Sequence, residues 1–307
     1  MKKGILYLGL FSLFAGTAAI FYKLAVDAGV TPLDLTLAVS LVALLVLAPF
    51  LYRKDTPAIL KNRAKELALV GLSSNGFAML LLTTGLLSTT ATNSGFMFAL
   101  IPALTVLAAH FMLKEPHPRH FGLFLLVMTS GGILLAFRNG FSTLNAGDAM
   151  VFGAAILLAY NNAYTKKVTQ RISADAVVFG RLAYSSAFLL LAAVAFSGAS
   201  LLSSIGAAPL FVAASGVLSA ASALFIIRGI QAEGASVSSL ANLTASLVTA
   251  AIGLGLLQEQ LVGLQAVGAA LIAIGAVAFA WVQRKHAEGR SPIVAISQKS
   301  RTSKKRA

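Results

Sequence analysis

The chain alternates between long apolar runs and short clusters of charge. Leu67 to Leu113 contains no Asp, Glu, Lys or Arg, and neither does Leu182 to Ile227. About 20 apolar residues span the hydrocarbon of a bilayer, so each run is too long for one crossing and must fold back. Reading the breaks in order predicts ten helices, the first over MKKGILYLGLFSLFAGTAAIFYK and the second over 35–52 behind Pro32 and Asp34. The next three cover 67–87, 91–113 and 121–137, and the last five cover 149–167, 176–196, 207–229, 236–257 and 261–282.

The same unit is written twice. GLLSTTATNSGFMFALIPALTVLAAHFMLKE, from Gly85, returns as GIQAEGASVSSLANLTASLVTAAIGLGLLQE, from Gly229. A gap-free offset of 144 residues pairs Gly85 with Gly229, Ala91 with Ala235, Thr105 with Thr249 and Glu115 with Glu259. Earlier it pairs Gly9 with Gly153 and Lys23 with Lys167. Constant register over this length is the mark of an internal repeat. The expected organisation is a first repeat at 1–138, a linker at 139–147, a second repeat at 148–283 and a basic tail at 284–307, polar enough to be disordered. The N-terminal stretch has the lysines and apolar centre of a signal peptide. Its apolar run continues to Tyr22 and its repeat partner is internal, so it reads as an uncleaved first helix.

Composition supports a membrane class. Apolar residues are 58%, charged residues 11%, and mean hydropathy is +0.85, against about 45–50% and about 25% in a soluble domain. A barrel would show short alternating strands instead of long apolar runs. The net charge of +14 sits in loops and tails, which argues for orientation in a bilayer and against nucleic acid as a partner. One side receives the N-terminal lysines, the 53–66 loop, Lys114 and Arg119, Lys166 to Arg171, Arg228 and the tail; the other receives Arg138 alone. Both termini are therefore expected in the cytoplasm. Five spans per repeat is odd, so the second copy enters from the opposite face. The expected fold is an all-α membrane protein of ten transmembrane helices in two inverted five-helix repeats, with its site near the midplane. The chain has no cysteine, which excludes disulfides and thiolate metal sites; no metal or other cofactor is expected.

Polar residues inside apolar helices are the candidate site, because in lipid they must face protein or water. Ser239, Asn242, Ser246, Thr249 and Gly253 fall on one face of the ninth helix. That stripe reads either as cavity lining or as close helix packing, with Asn242 and Ser246 its leading candidates. Asn75 lies mid-helix and reads as lining. Asn93 either caps the fourth helix or lines the cavity. Of Asn161 and Asn162, one is expected to line and the other to pack. Lys23 either snorkels to water or meets a substrate carboxylate, and Arg181 either snorkels or turns its guanidinium inward. Ser215, Ser219 and Ser222 read as packing, and so does His110. Glu115 and Glu259 each open the last helix of a repeat, where a helix N-terminus favours negative charge. None of the ten acids lies mid-helix, which favours a uniporter or exchanger over an ion-coupled pump.

The residues ATNSGFMFALIPALTVLAAHFMLKE, followed by a Gly-rich helix, and their second copy resemble the signature of the drug/metabolite transporter superfamily, in its EamA-type ten-helix branch. The resemblance covers about residues 5–282. It implies export or exchange of small metabolites, such as amino acids or related compounds, across a bacterial inner membrane. It also implies a central cavity lined by helices one, three, four, six, eight and nine. Two family positions are unequal between the halves: Pro102 is matched by Ser246, and Arg181 by Leu37. The expected partners are a small-molecule substrate and the lipid bilayer. An enzyme is not expected, since the sequence has no HExxH, paired intramembrane aspartates or Walker-type loop. A channel-like facilitator with the same fold is the nearer alternative.

Overall fold

The computed structural model describes residues 2–114, 121–135, 145–197, 202–233, 235–261, 263–279 and 281–282. Glu115, most of the linker and the whole tail 284–307 lie outside these. Among the described residues the long elements are helices: α1 (Lys2–Asp27), α2 (Pro32–Leu51), α3 (Ala64–Gly85), α4 (Ala91–Leu113) and α5 (Phe121–Leu135). The second half supplies α6 (Ala146–Thr169), α7 (Ala174–Ser197), α8 (Pro209–Glu233), α9 (Ala235–Gly255) and α10 (Leu264–Phe279). Six of them, α1 to α4, α7 and α8, are long and apolar enough to cross a membrane. The basic 53–66 segment, expected as a loop, holds a short helix over Thr56–Asn62. Pro57 suits the first turn of a helix, where no N–H is needed, and the Leu60 carbonyl accepts from Tyr184 Oη at 2.9 Å.

The helix ends follow local chemistry. Thr31, Thr90 and Asn145 are N-caps of α2, α4 and α6, each accepting a first-turn backbone N–H. Two of the described helices are irregular. Leu72–Gly76 forms a π turn inside α3, and α4 breaks after Phe98, just before Pro102. A proline clashes with the carbonyl four residues back, and for Pro102 that residue is Phe98.

The two halves interlock. The helix α1 packs on α8 and α9, and its offset partner α6 packs on α3 and α4. The pairing of α2 with α8 is matched by that of α7 with α3, while α2 meets α7 and α4 meets α9. Every one of these contacts between halves thus has its counterpart under the 144-residue shift. Small residues allow the close approaches. A Cβ on Gly95 would lie 2.8 Å from the Ser246 carbonyl oxygen, closer than van der Waals contact allows. Large apolar side chains also face outward, with Phe196 86% exposed and Phe111 and Leu210 each 75% exposed, a surface suited to hydrocarbon rather than water.

Polar links join the halves at both ends of the bundle. Where α4 begins, Glu259 accepts from the Ala91 and Thr92 N–H groups at 2.9 and 2.7 Å, and Asp34 accepts from the Leu202 and Ser204 N–H groups at 3.1 and 3.2 Å. At the other end Asp175 lies 3.7 Å from Arg53 of the first half and Glu66 lies 3.9 Å from Arg171 of the second, while each carboxylate also pairs within its own half, with Arg228 at 2.8 Å and Arg63 at 3.5 Å. The expectation for Glu259 is corrected here. It serves the N-terminus of α4, not that of α10, because the α9–α10 loop carries it back onto first-turn donors that have no partner within their own helix.

Candidate binding cavity

A cavity of about 130 Å³ lies between α1, α3, α4, α6, α7, α8 and α9. The wide turn in α3 organises part of its polar lining. A π turn shifts backbone bonding from i+4 to i+5 and leaves carbonyls for other donors. The Val70 carbonyl accepts from Ser74 Oγ at 2.6 Å and from Asn161 Nδ2 at 2.8 Å, which fixes Asn161 against the lining. The same turn carries Asn75. Its Oδ1 accepts from Arg181 Nε at 2.5 Å. Gly71, just before the turn, makes this possible: a Cβ there would sit 2.5 Å from the Arg181 carbonyl oxygen. Only glycine lets α3 and α7 come close enough for that bond.

The other walls combine polar and apolar groups. Tyr22 Oη and Ser219 Oγ share a hydrogen bond of 2.5 Å. Asn162 Nδ2 lies 3.5 Å from Thr105 Oγ1. On α9, Ser246 Oγ donates to the Asn242 carbonyl at 2.7 Å and Thr249 Oγ1 to the Gly16 carbonyl at 3.0 Å. Asn242 Nδ2 is buried and has no hydrogen-bond partner among the described residues. The lining also includes Phe98, Ile101 and Leu158, which belong to one apolar cluster. Arg181 is the one charged side chain in the described lining, and no described carboxylate pairs with it.

A family model for the EamA-like transporter family matches the chain twice, over residues 2–138 and 145–281. The chain belongs to the EamA-like transporter family. It is a multi-pass membrane protein of the drug/metabolite transporter type, and members of its family are transporters rather than enzymes. No curated protein matches it. A solved structure titled "Crystal structure of protein" is similar at a TM-score of 0.60 and 20% identity, over 88% of this chain and 97% of that one. That likeness concerns the fold alone.

In this EamA-like protein the cavity gathers six of the eight candidate residues: Asn75, Asn161, Asn162, Arg181, Asn242 and Ser246. Asn161 and Asn162 both line it, since both of their side chains reach across from α6 to the first half. Arg181 points inward and does not snorkel, and it brings α7 into a lining that the resemblance assigned to other helices. Two candidates lie elsewhere. The Asn93 side chain neither caps α4 nor enters the cavity: Thr90 is the cap, and Asn93 Nδ2 lies 3.4 Å from both oxygens of Asp148, which also accepts from Thr89 Oγ1. Lys23 pairs with Asp27 at 2.7 Å and donates to the Leu86 carbonyl at 3.0 Å, because it stands at the last turn of α1 beyond the cavity. Of the serines read as packing, Ser215 does pack and bonds the Phe211 carbonyl, but Ser219 and Ser222 line the cavity. Gly253 lies against Thr92. The offset held a signal for Ser219, which is the partner of Asn75, and for Phe98, which is the partner of Asn242. Tyr22 carried no such signal.

Proposed function

We propose that this protein carries small organic metabolites across the membrane by alternating access, as an exporter or exchanger. In this reading ten helices cross the bilayer as two inverted five-helix repeats, both termini are cytoplasmic, and the membrane is a bacterial inner membrane. The carrying observation is the cavity itself. Equivalent positions from the two halves meet in it: Asn75 with Ser219, Leu82 with Ile226, Phe98 with Asn242, and Ile101 with Ala245. A shared site at the seam of two like halves is what a rocking carrier needs, since either half can move against a fixed binding point. The links between halves are hydrogen bonds of 2.7 to 3.2 Å at one end and looser ion pairs of 3.7 and 3.9 Å at the other, which can break and re-form as access alternates. The lining suits small solutes with both polar and apolar parts, such as amino acids and related compounds.

The test is metabolite profiling of cells with and without the protein, followed by flux of the accumulated solutes in reconstituted liposomes. The expected result is saturable flux that is stimulated by the same solute on the far side. Flux that rises linearly with concentration and ignores the far side would identify a channel instead.

A further inference from the structure

We infer, building on the transport reading above, that the carried solute bears a single carboxylate and that Arg181 is its anchor. Three observations converge. Arg181 supplies the one positive charge in the described lining, and no described acid balances it. A charge taken out of water is costly unless it is paired, and here the partner has to come from the solute. Next, the bond to Asn75 occupies Nε and is, among the described residues, the one hydrogen bond this guanidinium makes. Both terminal nitrogens are left as a fork whose geometry matches the two oxygens of a carboxylate. Asn75 is thus a positioning residue that aims the fork. Last, Asn242 Nδ2 is a buried donor without an acceptor among the described residues, so the lining holds a second unmet demand for an oxygen.

The rest of the cavity refines the class. One cation balances one negative charge, whereas a phosphate dianion would leave a surplus in a low-dielectric site. The Phe98, Ile101 and Leu158 cluster receives an aliphatic or aromatic remainder. A volume of about 130 Å³ lies below the roughly 300–1,000 Å³ of pockets that take drug-sized ligands. An ammonium group finds no lining carboxylate, only oxygens such as those of Tyr22 and Ser219. Zwitterions and simple monocarboxylates fit; polycations do not. The position equivalent to Arg181 is Leu37, buried in an apolar cluster, so the cavity has one anchor and the solute one orientation.

The experiment loads liposomes with a total extract of small cell metabolites and follows efflux by mass spectrometry, for the full-length protein, Arg181→Gln and Arg181→Lys. Size-exclusion profiles establish that each variant is folded. The solutes that leave faster than from protein-free liposomes should be monocarboxylates. Arg181→Gln should lower their efflux by about tenfold or more. Arg181→Lys keeps the charge without the fork, and should raise KM severalfold while sparing kcat. Efflux dominated by solutes without a carboxylate, or by phosphates, overturns the inference and leaves the transport reading standing. So does an unchanged rate and KM in a folded variant; if Arg181→Gln fails to fold, the lysine variant decides. If the wild-type protein releases nothing beyond the protein-free control, the transport reading itself fails.

Discussion

The first and second halves have the same plan and different chemistry. The first half presents Phe98 and Ile101 to the cavity where the second presents Asn242 and Ala245. The first half breaks α4 after Phe98, before Pro102; the second runs α9 through Ser246 as one described helix, Ala235–Gly255. The first half has the π turn with Asn75, and the matching stretch of α8 is regular helix with Ser219. Arg181 in the second half meets the cavity, and Leu37 in the first meets an apolar cluster. The lesson is that duplication preserved the contacts between helices, because those depend on small residues and apolar faces, which many side chains satisfy. The cavity positions are less constrained by close packing, since they border open space. Divergence left matched positions of the lining with different chemistry, apolar in one half and polar in the other at Phe98 and Asn242.

The largest effect expected is a sign reversal. Leu87 is exposed near one end of the bundle, and its offset partner Gln231 is exposed near the other. Cysteines placed singly at these two positions should react with an impermeant maleimide from opposite faces of intact cells, Leu87→Cys from outside. A reporter fused after Phe141 should likewise read outside, while fusions at Asp55 and the C-terminus read cytoplasm. Labelling of both cysteines from one face would rule out an inverted pair of repeats.

The next contrast concerns close packing. Gly71→Leu would drive a side chain into the α7 backbone that carries Arg181. Its partner substitution, Ser215→Leu, overfills the fully buried packing site on α8. Both should lower stability by about 1–3 kcal/mol or more, with Gly71→Leu the worse because backbone cannot yield. Fluorescence-detected size-exclusion after mild heating measures the order. A Gly71→Leu protein as stable as wild type would remove the reason given for the glycine.

Asn242 and Phe98 test the polar and apolar positions. Asn242→Leu should keep expression and lower transport about 5- to 150-fold, the loss of one buried hydrogen-bonding partner of about 1–3 kcal/mol. Asn242→Asp should shift preference towards cationic solutes, because it adds a negative charge to the cavity. Phe98→Leu, at the apolar position, should change which solutes are preferred more than how fast they move. Liposome efflux measures all three, and wild-type rates and selectivity in both Asn242 variants would remove that residue from the site.

The smallest effect is expected from the helix break. Pro102→Ala restores a backbone N–H where α4 is already interrupted, so transport should fall less than fivefold, roughly 1 kcal/mol or below. Ser246→Pro in unbroken α9 should cost more, about 3 kcal/mol or more of helix stability. Equal outcomes would mean that the irregularity of α4 does not come from its proline.

Much of this was legible in the chain. Long uncharged runs can be nothing but buried in lipid or protein, and their length sets the number of folds. A constant offset declares duplication whatever the residues are. Asn75, Asn242 and Arg181 could be singled out because a polar group inside an apolar helix must find a polar environment. The tertiary structure alone decided which way each polar side chain turns. Asn93 and Asn75 look alike in sequence, yet one meets Asp148 and the other Arg181. Glu259 looked like a local helix opener and instead holds a helix 168 residues away in sequence. Tyr22 and Ser219 sit 197 residues apart and meet at the cavity wall. The physical reason is the same in each case. Periodicity reports the spacing of polar positions along one helix. What lies opposite depends on the helix's rotation and on the neighbour that packing brings, and for α3 also on a π turn that shifts the register of the helix halfway along.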